Sequence, residues 1–292
     1  MDLPSERLGA DSARVVLGGS FRERLERFAA TVRASAARDE GRAGIAPGQG
    51  VELEGHRPYR EGEDLRDLDW ELLARLGRPW VRVRRQERGE RLALALDTSA
   101  SMAVGSPSKL EHACELAAAL ALATVTGGGS AEVFAHGADG SVERSSLRTR
   151  RDLPALLEFL RRRLARGERP LREVLSAVGR VRARRVIVLG DLMDVEPVDV
   201  LALARRGTRV AAVAVLARRE LAPRAAEGVE WFDPESGDAL ALALDAATLK
   251  AYGEALEGRL AAWRSAFARR GAAYRVTAAD AAFETLAGEL VR

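Results

Sequence analysis

The residues best placed to do chemistry are Asp97-Thr98-Ser99-Ala100-Ser101, which follow directly on the apolar run Leu92–Leu96. An Asp-x-Ser-x-Ser spacing offers one carboxylate and two hydroxyls from a single short loop. These are hard oxygen donors, and a hard octahedral ion such as Mg²⁺ (or Mn²⁺ or Ca²⁺) is held by few carboxylates plus waters. A second carboxylate, Asp191, stands after the apolar run Val186-Ile187-Val188-Leu189 and Gly190. Two carboxylates balance the ion's charge, which matters because an uncompensated buried charge is costly. The structural alternative is that Asp97 accepts N–H bonds from its own loop, that the serines cap the helix near Ser108, and that Asp191 caps a helix at Pro197.

For these groups to converge, Asp97 and Asp191 must stand at the carboxyl ends of neighbouring strands, where ligands bind in open parallel sheets. Past Arg91 the chain supplies such elements. Leu92–Leu96, Val186–Leu189 and Val210–Leu216 are apolar on both faces, as strands covered by helices on either side must be. Helices are expected between them. The first opens at the capping box Ser108-Lys109-Leu110-Glu111, runs through Leu122 and closes at Gly127-Gly128-Gly129. Leu153–Leu164, Leu171–Val181, Val198–Arg205, Tyr252–Arg270 and Ala281–Val291 follow, with Tyr274–Val276 as a further strand. This alternation predicts an α/β fold with a doubly wound, mostly parallel sheet over residues 92–292. Residues 1–40 read as a loose tail to about residue 20 and a helix over Phe21–Arg38, ended by the Gly-rich stretch Gly41–Gly50. Residues 41–91 form a separate segment, dense in charge and bulky aromatics, that ends in the alternating strand Trp80–Arg84.

With the upstream segment included, the chain resembles a known bacterial family. Asp-x-Ser-x-Ser after a buried strand, with Asp191 after a later one, looks like the metal-ion-dependent adhesion site of von Willebrand factor A domains. Arg57-Pro58-Tyr59-Arg60, then Gly62-Glu63-Asp64-Leu65-Arg66-Asp67-Leu68-Asp69-Trp70, Ala74-Arg75 and Glu87, is similar to the family catalogued as domain of unknown function 58. The turn Phe232-Asp233-Pro234-Glu235-Ser236-Gly237-Asp238 also resembles that family's late turn. The resemblance implies a von Willebrand factor A-like fold, a metal-dependent protein-binding site, no established catalysis, and a MoxR-type AAA+ ATPase as frequent partner. One departure concerns a loop threonine that completes the family's site. The matching loop, Arg166-Gly167-Glu168-Arg169-Pro170-Leu171, has no hydroxyl. Glu168 is the candidate to replace it as an oxygen ligand. Alternatively, Arg169 places a fixed cation where the ion would sit.

The block containing Arg60, Asp64, Arg66, Asp69 and Trp70 has two readings. It is either a partner-docking surface or an ion-pair network with Trp70 as a packed anchor. The even match of charge signs favours the network.

Composition excludes other classes. Lys plus Arg is 46 and Asp plus Glu is 43, with Arg interleaved among acids rather than gathered on one face, which argues against nucleic acid. The lone cysteine, Cys114, excludes an internal disulfide and a Cys-rich zinc site, and His56, His112 and His136 lack metal-ligand spacing. The longest greasy stretch, Leu116–Val125, is half of what a bilayer needs, and the first residues show no secretory leader, so a cytoplasmic protein with no membrane segment is expected. Three functions compete. The first is a non-catalytic binding module that takes a partner carboxylate through a divalent ion. The second is a metal-assisted phosphatase with Asp97 as nucleophile, although Ser99 holds the place of such enzymes' second Asp and Lys109 reads only as a helix-start residue. The third is a metal-free scaffold with Arg169 as internal counter-ion to Asp97 and Asp191. No phosphate-binding Gly-Lys loop occurs, so ATP hydrolysis by this chain is not expected.

Overall fold

The computed structural model describes residues 13–40, 52–60, 63, 68–85, 90–205, 207–223, 226–232 and 239–291. The chain begins with β1 (Ala13–Arg14), α1 (Gly19–Glu40), β2 (Glu52–Pro58), α2 (Trp70–Leu76) and β3 (Trp80–Arg85). There follow β4 (Arg91–Leu96), α3 (Lys109–Thr126), β5 (Ser130–His136), β6 (Val142–Leu147), α4 (Leu153–Arg161), β7 (Leu164–Ala165) and α5 (Leu171–Val178). Next come β8 (Arg185–Gly190), α6 (Pro197–Leu201), β9 (Arg209–Leu216), α7 (Arg218–Leu221), β10 (Ala226–Phe232), β11 (Ala239–Leu244), α8 (Ala246–Arg269), β12 (Ala273–Ala278) and α9 (Phe283–Val291).

Six strands form the main sheet in the order β12-β9-β8-β4-β5-β6. All neighbours are parallel except β5 and β6, which pair antiparallel at one edge. The period-two alternation of strand side chains divides the apolar runs between two cores. Leu92, Leu94 and Leu96 of β4 face a cluster built with α1, α3, α4 and α9. Ala93 and Ala95 face the other cluster, which holds residues of α5, α6 and α8. The structure is thus a mostly parallel sheet with helices on both faces, the class expected from sequence.

Helix α3 is buried on nearly every side because it lies between the sheet and a second layer of helices. Its small residues Ala117, Ala118, Ala119 and Ala121 are fully buried, which lets neighbours approach closely. Ser108 caps the start, its Oγ accepting the Glu111 N–H at 3.1 Å. That cap fixes where α3 begins. It begins at the carboxyl ends of the central strands, and its first residue is Lys109.

Several expectations are corrected. The tail was expected to be loose to about residue 20, but Ala13 and Arg14 pair with β7 and Val15 and Leu17 are buried. Helix α1 then docks on the outer layer, with Phe21 and Phe28 edge-on to Phe283 and Arg24 paired to Glu284 at 2.6 Å. Strands β5 and β6 escape the apolar-run criterion because Glu132, Glu143 and Arg144 make that edge polar. The hairpin β10–β11 and helix α2 also went unread. Helix α6 is shorter than Val198–Arg205, stopping at Leu201. The stretch Gly41–Gly50, Asp64, Arg66, Glu87 and the turn Asp233–Asp238 lie outside the described residues.

Candidate functional site

The central strands β4 and β8 run side by side, and the Asp97 N–H donates to Leu189 O at 2.9 Å, extending the ladder by one step. This puts the ends of both strands together, as the Asp97–Asp191 pairing requires. Gly190 makes the approach close. A Cβ on Gly190 would meet Asp97 Cβ at 2.5 Å and Oδ2 at 2.7 Å, so only glycine lets Asp97 lie against the tip of β8. Sequence reasoning passed over this residue.

Asp97 is 1% exposed. Its Oδ1 accepts the Ser99 N–H at 2.9 Å, which closes the loop into a tight turn. Its Oδ2 is buried with no hydrogen-bond partner, and so is the Oγ1 of adjacent Thr98. The hydroxyls of Ser99 and Ser101 are 3.0 Å apart, the first buried and the second half-exposed. Burial, and then the neighbouring negative charge of Asp191, push the Asp97 carboxyl up to about 8. Both effects favour the neutral form of the carboxyl.

Asp191 is equally buried but fully engaged. Its Oδ2 accepts from Lys109 Nζ at 2.7 Å and its Oδ1 accepts the Met193 N–H at 3.2 Å. Lys109 is 1% exposed, and its ammonium also reaches Glu220 Oε1 at 2.8 Å. Burial alone pushes the ammonium's pKa down, but Asp191 and Glu220 outweigh it and hold the group above its ordinary value. Lys109 is therefore a charged member of the site, which corrects the expectation of a mere helix-start residue. A signal was available, since Lys109 is one of only two lysines among 46 basic residues. A compact ammonium with three donors can reach two carboxylates at once.

The loop after Asp191 is held in an unusual shape. Leu192 has φ of 61°, a left-handed conformation that a bulky side chain rarely adopts. Arg259 of α8 clamps it, its Nη2 donating to the carbonyls of Leu192, Met193 and Val195 at 2.6, 3.0 and 3.1 Å. Asp194, further along this loop, ties it to α5. It accepts the Leu171 N–H at the start of α5 at 2.9 Å.

The loop expected to supply a further ligand does reach the site by its backbone. Ala100 N–H donates to Gly167 O at 3.2 Å and Arg166 N–H to Thr98 O at 3.3 Å. Glu168 itself is exposed, and no hydrogen bond or ion pair joins it to Asp97 or Asp191. Arg169 is buried but points elsewhere, donating to the carbonyls of Leu164 at 3.1 Å and Ala138 at 3.3 Å. The counter-ion of the strand tips is Lys109, not Arg169.

The upstream block separates into different roles. Asp69 is buried, accepts the Glu71 and Leu72 N–H groups at 3.0 Å to cap α2, and bonds His56 Nε2 at 2.7 Å. Arg60 is exposed, and its backbone N–H donates to Glu63. Trp70 is 61% exposed, which corrects its reading as a packed anchor.

Among the described residues no three His, Cys, Asp or Glu side chains form a metal cage. A cation here would rely on hydroxyls. Asp97 Oδ2, Ser99 Oγ and Ser101 Oγ are the donors that fit one, and Asp191, with its Oδ2 held by Lys109, is left to act through water.

A family model described as "Protein of unknown function DUF58" matches residues 55–259. Uncharacterized proteins of Mycobacterium bovis and Mycobacterium tuberculosis are 34% identical over 98 residues, which is 34% of this chain and 31% of theirs. The match thus spans about a third of those relatives' length. Among solved structures, the conserved hypothetical protein BatB from Bacteroides thetaiotaomicron aligns over 69% of this chain and 97% of its own, at 19% identity and TM-score 0.44. An aerotolerance-related membrane protein from Bacteroides fragilis gives 69%, 96%, 18% and 0.43. No helix among the described residues is long and apolar enough to cross a membrane.

Proposed function

The chain belongs to the DUF58 family, and we propose that it works as a non-catalytic binding module of von Willebrand factor A type, taking a partner protein's carboxylate at Asp97, Ser99 and Ser101. The observation that carries this reading is the buried Asp97 Oδ2 with no partner, beside two hydroxyls that touch each other. A buried polar atom without a partner costs about 1–3 kcal/mol, so its retention suits a site completed by a ligand. A bound divalent ion supplies the positive charge this oxygen lacks and one open position for an outside carboxylate.

The chain's own residues do the positioning. Gly190 admits Asp97 against β8, Ser99 N–H fixes the carboxyl's rotation, and half-exposed Ser101 forms the outward edge where a partner arrives. On resemblance, the partner is a MoxR-type AAA+ ATPase. The phosphatase reading fares worse on the same geometry. A nucleophile must be reached directly by the substrate, whereas Asp97 is 1% exposed, and Ser99 holds the place of such enzymes' second Asp.

The test is a pull-down of a purified MoxR-type ATPase with the full chain. EDTA, and separately Asp97→Ala, should abolish capture while circular dichroism shows the fold intact. Capture that survives both treatments would overturn the metal-bridged reading.

A further inference from the structure

Asp191 and Asp97 sit at adjacent strand ends, both buried, yet only Asp191 has a cation. Lys109 reaches it from the first turn of α3, a helix fixed by the Ser108 cap and by burial along most of its length. The second partner, Glu220, is itself anchored, because its Oε2 accepts the Ala217 N–H at 2.6 Å. The ammonium is thus held from two directions, at 2.7 and 2.8 Å. It is covalently part of the chain and cannot diffuse away.

We propose that Lys109 is a tethered counter-ion that stands in for metal charge at Asp191 and sets the site's cation affinity, leaving only the Asp97 side to take a dication. This rests on the reading that an ion binds at Asp97. Two consequences follow from charge alone. The strand tips keep their arrangement without a metal, because Asp191 is already neutralised. A dication on Asp97 and the ammonium on Asp191 repel across the site, so the fixed charge weakens ion binding and makes it conditional.

Mn²⁺ titration of the full chain, followed by the electron-spin resonance of free Mn²⁺, tests this directly. Lys109→Gln removes the charge and keeps a polar N–H-bearing side chain at the position. It should bind Mn²⁺ about tenfold more tightly than wild type, or tighter still. Lys109→Arg keeps the charge and should stay near wild-type affinity. Asp97→Asn should remove binding in every background. Mn²⁺ should also raise the melting temperature of Lys109→Gln more than that of wild type, by linkage. If Lys109→Gln does not fold, Lys109→Gln/Glu220→Gln against Glu220→Gln alone carries the same expectation with less uncompensated negative charge. Unchanged or weaker Mn²⁺ binding on loss of the lysine charge, with wild-type binding still dependent on Asp97, would overturn the role of Lys109 and leave the Asp97 site standing. No Mn²⁺ binding in any variant would remove the Asp97 site and this inference together.

Discussion

Asp97 and Asp191 make a natural pair for comparison. Both end a buried parallel strand, both are almost completely excluded from water, and both accept a backbone N–H from two residues further on. They differ in one thing. Asp191 has Lys109, whereas Asp97 Oδ2 has no partner. Burial is compensated at Asp191 by a built-in cation and is not compensated at Asp97, whose carboxyl it pushes up. The Asp191 half serves the fold. On the proposed function, the Asp97 half takes its partner from outside.

The strongest way to break this comparison is to remove each carboxylate in EDTA and measure stability by urea unfolding. Asp191→Ala strands the Lys109 ammonium with Glu220 alone and should cost about 3 kcal/mol or more. Asp97→Asn should cost under about 1 kcal/mol near pH 7, since burial and Asp191 both favour the neutral form that asparagine resembles. Equal losses at both positions would mean that Asp97 is as structural as Asp191.

A second test asks whether partners, rather than depth, decide charge. His112 lies three residues after Lys109 on α3 and is equally buried, but its Nδ1 has no partner. Burial, then Arg24, push its pKa down to about 4, with Asp280 opposing. In the unfolded chain the value returns to about 6.5. The unfolded state therefore binds the proton first as pH falls. The stability linked to neutral His112 is complete above about pH 6.5 and is lost on acidification through pH 4, a change of about 3 kcal/mol. Relative to wild type, His112→Gln should gain by that order between pH 6.5 and 4, measured by urea unfolding at several pH values. A parallel profile for the two proteins would show that His112 carries a proton in the fold. Glu115, one turn on, should behave in the opposite sense. Burial raises it to about 7 against the pull of Arg24, so its contribution is complete below about pH 4.5 and declines as pH rises through 7.

Much of this was legible in sequence because it rests on local pattern. Apolar runs announced β4, β8 and β9, and Asp97 and Asp191 were placed at strand ends by chain position alone. The capping box located the start of α3, and with it the position of Lys109, but not the partner of that lysine. Lys109 and Asp191 are 82 residues apart, and Lys109 and Glu220 are 111 apart. Pairing at that range is set by the crossing of helices and strands, which no local spacing records. Arg169 failed as a predicted counter-ion for the same reason, since its loop reaches the site by backbone while its side chain turns to the carbonyls of Leu164 and Ala138. Trp70 was read inward because tryptophan is usually buried, yet α2 presents it outward.

The smallest expected effect concerns how Asp97 is held against β8. Gly190 has an ordinary strand conformation, so alanine is acceptable to its backbone and the only obstacle is contact with Asp97 at 2.5 Å. Gly190→Ala should cost about 1–3 kcal/mol, the usual range for overpacking. It should also displace the Asp97 carboxyl and weaken Mn²⁺ binding, while the Lys109–Asp191 pair stays intact. Asp97→Ala cannot relieve the clash, because the nearest atom is the Cβ that alanine keeps. Asp97→Gly can, at a cost of its own of about 0.5–1 kcal/mol from added chain freedom. In a double-mutant cycle, Gly190→Ala should therefore be nearly neutral in the Asp97→Gly background and costly in the Asp97→Ala background. Equal costs in both would mean that Asp97 is not what a side chain at position 190 meets, and the case for Gly190 seating Asp97 against β8 would fall.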